Sequence, residues 1–106
     1  MLKIKEGVDL NGLTKEAVTI MKVVTDVYDS FGFDVTITSG LDGKHSKNSK
    51  HYTGEALDFR TRDLPSGNQG QEARFITKLL AELLGDDYDV VLEKTHIHVE
   101  YDPGGS

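Results

Sequence analysis

Six consecutive residues constrain this chain more than any others. His96-Ile97-His98-Val99-Glu100-Tyr101 alternates polar and apolar without a break. Side chains of a strand point to opposite faces every second residue. Ile97, Val99 and Tyr101 therefore take the core, and His96, His98 and Glu100 share the other, solvent or cleft, face. The chain has four histidines, His45, His51, His96 and His98, and all of them lie in two short segments beside acidic residues. A lone histidine on a strand is usually a packed or surface residue. Four histidines grouped with Asp and Glu are harder to explain that way.

The rest of the chain supplies partners for this strand. Thr14 is an N-cap and Gly32 a stop for a helix over 14–31, whose stripe is Ala17, Val18, Met21, Val24, Tyr28 and Phe31. Phe33 to Ser39 alternates, with Phe33, Val35 and Ile37 on its buried side. Residues 40–50 are polar and read as a long loop. Glu55 to Phe59 reads as a short strand, with Ala56 and Asp58 opposite Leu57 and Phe59. A second helix runs from about Gln69 to Leu84, with Ala73, Ile76, Leu79, Leu80, Leu83 and Leu84 as its stripe and Gly85 as its stop. Tyr88 to Glu93 and His96 to Tyr101 are close enough in sequence to form a hairpin around Lys94-Thr95. The expectation is an α+β fold: one domain over 1–106, with an antiparallel sheet and two main helices on one side. Pro103 to Ser106 reads as a flexible tail.

Composition narrows the function classes. With 106 residues there is room for one core. With no cysteine there is neither a disulfide framework nor a thiolate metal site, so nitrogen and oxygen must hold any metal. The net charge of −6 argues against a partner recognised through nucleic-acid phosphates. No membrane-length apolar stretch and no signal-peptide core are present. Synthesis in the cytosol is therefore expected, with any extracellular action following export or lysis.

If the strands bearing Asp58 and His98 are neighbours, the two side chains approach to metal-bridging distance, and His51, at the end of the polar loop, can reach back to them. Two imidazoles and one carboxylate suit zinc, whose catalytic sites use three protein ligands and an open fourth position. Glu93, just before the turn into His96, is the best-placed base for the water proton. The lysines Lys44, Lys47 and Lys50, and Arg60 and Arg62, read as solvated residues, the alternative being a grip on a substrate carboxylate. Three tempting motifs fail. Gly40 to Ser46 has only two residues between its glycines where a phosphate-binding loop needs four. The helical zincin pattern does not occur. A Ser-His-Asp triad drawn from Ser46 or Ser49 lacks the Gly-x-Ser-x-Gly elbow.

The stretch His51-Tyr52-Thr53-Gly54-Glu55-Ala56-Leu57-Asp58 resembles the His-x-x-Gly-x-Ala-x-Asp signature of the M15 zinc peptidases, and Glu93 to His98 resembles their second motif. These are D-alanyl-D-alanine carboxypeptidases and dipeptidases and phage L-alanyl-D-glutamate endolysins, which share a fold and metal site with hedgehog domains. His45 to Tyr52 and His-Ile-His are closer to the hedgehog version. The resemblance spans about residues 33–102. It implies zinc held by His51, Asp58 and His98, Glu93 as general base, His96 beside the metal, and His45 as a substrate-contacting or supporting group. It also implies a peptidoglycan peptide as substrate, with a non-catalytic, zinc-stabilised binding module as the alternative. The sequence departs from the pattern after Ser39-Gly40, where Leu41-Asp42-Gly43-Lys44 stands in place of the usual Arg-containing stretch. The loop is also shorter than that of the calcium-binding hedgehog domains, and calcium is not carried over.

Overall fold

The computed structural model describes residues 1–40 and 55–103. Its elements run β1 (Leu2–Ile4), α1 (Lys15–Ser30), β2 (Val35–Ser39), β3 (Ala56–Arg60), α2 (Gln71–Leu84), β4 (Tyr88–Leu92) and β5 (His96–Tyr101). The strands form one sheet in the order β1-β2-β3-β5-β4. The expectations on His45 and His51, on the loop lysines and on the last residues of the tail fall outside the described residues.

Local chemistry marks the start of α1 and the end of α2. The Thr14 hydroxyl accepts a hydrogen bond from the Ala17 N–H at 3.2 Å, satisfying one of the donors that a helix start leaves open. Gly85 closes α2 at φ +86°, a left-handed conformation that costs glycine little, and its N–H donates to the Ala81 carbonyl. The helices share one core with one side of the sheet. Ile20, Val24 and Tyr28 of α1 and Ile76 and Leu80 of α2 pack with Val35, Ile37, Leu57, Phe59, Ile97 and Val99, all fully buried. These strand residues are the alternate set, so Asp58, His98 and their neighbours face away from the helices.

Three expectations need correcting. The sheet is mixed, because β1 pairs with β2 in parallel. Parallel neighbours need a crossover connection, and α1 supplies it. Leu2-Lys3-Ile4 alternates as a strand should, but three residues are too few to stand out. Phe31 is 41% exposed rather than in the core. It stacks on Phe33 at 6.1 Å and meets the edge of Phe75 at 5.7 Å, forming a surface aromatic cluster between the two helices. Leu83, placed in the apolar stripe of α2, is 58% exposed, while Ile20 and Val27 of α1 are the buried residues its stripe missed.

Two irregularities shape the edge of β3. Ile37 pairs with Phe59 but Ser39 pairs with Asp58, so Thr38 is an extra residue, a bulge directly beside Asp58. At the other end, the buried Tyr28 donates its hydroxyl to the Arg60 carbonyl at 3.1 Å. That carbonyl lies beyond the last β2–β3 pair, and the phenol replaces the missing ladder partner. Burial pushes the Tyr28 hydroxyl pKa upward, which keeps it a proton donor. Among the described residues, no helix is long and apolar enough to cross a membrane.

Replacing Tyr28 by Phe keeps the packing and removes that donor. Urea unfolding of Tyr28→Phe is expected to show a loss of about 1 kcal/mol, with a Tm lower by ~4–8 °C. An unchanged midpoint would mean that water serves the Arg60 carbonyl equally well.

Candidate metal centre

The face of the sheet turned away from the helices is a grid set by strand register. β3 and β5 are antiparallel, with Ala56 opposite Glu100, Asp58 opposite His98 and Arg60 opposite His96. β4 continues the rows, with Asp89 opposite Glu100 and Val91 opposite His98. The Glu93 N–H donates to the His96 carbonyl at 2.8 Å, extending the register by one pair and setting Glu93 across from His96 at the hairpin end. One row thus holds Asp58 and His98, and the next holds Arg60, His96 and Glu93.

Asp58 sits between the two imidazoles. Its Oδ1 lies 2.8 Å from His98 Nδ1, and its Oδ2 lies 3.7 Å from His96 Nε2. The other nitrogen of His98, Nε2, lies 2.8 Å from Glu100 Oε1. His96 Nδ1 is 3.2 Å from the Thr95 hydroxyl. This face is more enclosed than a solvent face: Ala56 is fully buried and Asp58 is 8% exposed. Glu93 is exposed, and its carbonyl accepts from the Gln69 side chain at 3.2 Å. Sequence reasoning placed Glu100 on this face but gave it no role. Its contact with His98 Nε2 gives it one, and the two-residue spacing was the available signal.

Burial acts to lower the His98 pKa, but hydrogen bonds to Asp58 and Glu100, and their charges, outweigh it and push the pKa up to about 9. Without a metal the ring is an imidazolium donating from both nitrogens. Asp58 Oδ1 and His98 Nδ1 are an oxygen and a nitrogen donor, the types zinc accepts, and a 2.8 Å separation needs to open by only ~0.5 Å to span a tetrahedral ion. An ion bound there takes the place of the Nδ1 proton. The third expected ligand, His51, is outside the described residues.

Asp89, Glu100 and Asp102 also bring carboxylate oxygens within 4.8 Å of one another. An all-oxygen set suits hard cations rather than zinc. Partial desolvation and the charge of Asp102 raise the Asp89 pKa.

The raised His98 pKa fixes the sign of a pH effect in the metal-free protein. A folded-state pKa above the ordinary value of 6.5 stabilises the fold fully below about pH 6.5, and that contribution disappears as pH rises through about 9. The urea midpoint of the chelator-treated chain is expected to fall across this window more steeply than that of His98→Gln. Parallel pH profiles for the two proteins would contradict a His98 imidazolium held by the two carboxylates.

The Peptidase M15 family model matches residues 1–100. The match runs from β1 into β5 and takes in Asp58, Glu93, His96, His98 and Glu100. The chain belongs to the M15 peptidases, a family of metallopeptidases.

Proposed function

We propose that this protein is a zinc-dependent peptidase that hydrolyses peptide bonds of bacterial cell-wall peptides containing D-amino acids, on a fold of the D-alanyl-D-alanine peptidase type. The observation that carries the reading is the Asp58–His98 pair. A carboxylate and an imidazole, forty residues apart in sequence, meet at 2.8 Å on neighbouring strands of a chain matched to a peptidase family.

In this reading His51, Asp58 and His98 hold the ion. Zinc bound there would bring the pKa of a water to about 7 and polarise the scissile carbonyl. The protein's own groups do the rest. Glu100 accepts the Nε2–H of His98, which fixes the tautomer and leaves the Nδ1 lone pair for the ion. Glu93 takes the proton of the attacking water and passes it to the leaving amine. His96, held at Nδ1 by the Thr95 hydroxyl, keeps its Nε2, 3.7 Å from Asp58 and outside hydrogen-bond distance, to stabilise the oxyanion. His45 serves as a substrate-contacting or supporting group.

Glu93→Ala is expected to bind zinc like the parent and to lose hydrolysis of purified muropeptides by ~10²-fold or more. Cleavage at the parental rate would remove Glu93 from its role as base. A chain that binds zinc tightly and cuts no muropeptide would instead be a binding module.

Glu100→Gln replaces a charged acceptor with a weaker one two residues from the ion. Its zinc affinity, measured by competition with a chelator, is expected to drop about tenfold. Parental affinity would show that Glu100 does not orient His98.

A further inference from the structure

Three cations meet in one cleft beside the ion-binding pair, and the hydrolytic scheme uses none of them. Lys5, Arg60 and Arg62 line a hollow of about 350 Å³ that reaches Asp58 and is edged by the hydroxyls of Thr38 and Thr95. In a chain with 18 acidic and 12 basic residues such a grouping runs against the overall charge.

We propose that this cleft is an anion subsite that recognises a carboxylate of the peptide substrate, either its C-terminus or an acidic side chain, next to the scissile bond. The assignment deepens the peptidase reading and rests on it.

Position supports it. Arg60 follows Asp58 by two residues on the same face of β3 and stands opposite His96, so it lies one row, ~7 Å, from the Asp58–His98 pair. An extended peptide advances ~3.5 Å per residue. A carboxylate one or two residues from the scissile carbonyl therefore reaches the Arg60 row while that carbonyl stays at the ion.

Arg60 is also held in place, and among the described residues no acid lies within hydrogen-bond distance of its guanidinium. Its side chain is 20% exposed, and its carbonyl is anchored by Tyr28. Asp63 approaches both guanidinium groups only to 3.9 Å, beyond hydrogen-bond distance, and its own side chain is 65% exposed. Asp58, the acid that lines the cleft, is engaged by His98 at 2.8 Å. A planar guanidinium offers a carboxylate two parallel N–H donors, and Lys5 adds a point charge.

The test is an NMR titration of the zinc-loaded Glu93→Ala chain, in which turnover does not deplete the probes. The first pair of probes is an acetylated tripeptide ending in D-alanine and its C-terminal amide. The second pair carries D-glutamate or D-glutamine in the middle of an amidated tripeptide. In at least one pair the acid is expected to bind about tenfold or more tightly than the amide, shifting the Thr38 and Thr95 resonances. The pair that does so identifies which carboxylate is read. Adding Arg60→Gln or Lys5→Gln should collapse the acid-to-amide ratio to within about twofold. Arg62→Gln, at an exposed position, is the variant least exposed to folding defects and should reduce the ratio in the same direction. Equal binding of acid and amide in both pairs, or a preference that survives all three substitutions, overturns the subsite. Cleavage is scored separately on the parent chain. An intact acid preference without cleavage leaves the subsite standing and removes the peptidase reading. Cleavage without any acid preference does the reverse.

Discussion

The pairing of β3 with β5 is the contact on which the rest of this molecule depends. It places Asp58 against His98 and, by the same register, Arg60 against His96 and Ala56 against Glu100. Side chains alternate with a period of two, so a slip of either strand by one residue would turn its polar groups into the core and bring its apolar pair, Leu57 and Phe59 or Ile97 and Val99, to the open face. The register is therefore enforced from below. Four buried apolar side chains packed against two helices hold the polar grid above them in place. Core stability and site geometry are two faces of one strand pair.

The site face is built from opposed charges rather than from a single pocket. Around His98, two carboxylates share one ring, each on a different nitrogen, and together push its pKa up. One row away, Arg60 with Lys5 and Arg62 reverses the sign. The proposed metal centre and the proposed anion subsite would each draw on one side of this division. The bulge at Thr38 and the Tyr28 hydroxyl sit at the two ends of the β3 edge, where the regular ladder with β2 fails. The Thr38 hydroxyl donates to the Asp58 carbonyl at 3.5 Å, and the Tyr28 hydroxyl donates to the Arg60 carbonyl.

Much of this was legible in the sequence because it is periodic. The alternation at 96–101 gave the strand and its faces, and the alternation at 56–59 gave the partner strand. Thr14 and Gly85 marked helix ends through chemistry local to a turn. What escaped detection depends on distant residues. β1 is short and is defined by a parallel partner across a helix. Phe31 belongs to the α1 pattern, but its environment is decided by Phe33 and Phe75. The bulge appears only when two strands are compared. Arg60 looked like a solvated residue because nothing nearby in sequence announces Lys5. Glu100 stood in the right row, yet its role came only with the contact to Nε2. The readings on His45 and His51 lie in the segment between β2 and β3, outside the described residues.

The most direct measurement is anomalous diffraction at the zinc edge from crystals of the zinc-loaded chain. An ion held by the proposed ligands gives one strong peak ~2.0–2.2 Å from both an Asp58 carboxylate oxygen and His98 Nδ1, with His51 as the third donor. A peak at the carboxylates of Asp89, Glu100 and Asp102, with Asp58 and His98 still hydrogen-bonded to each other, would contradict it.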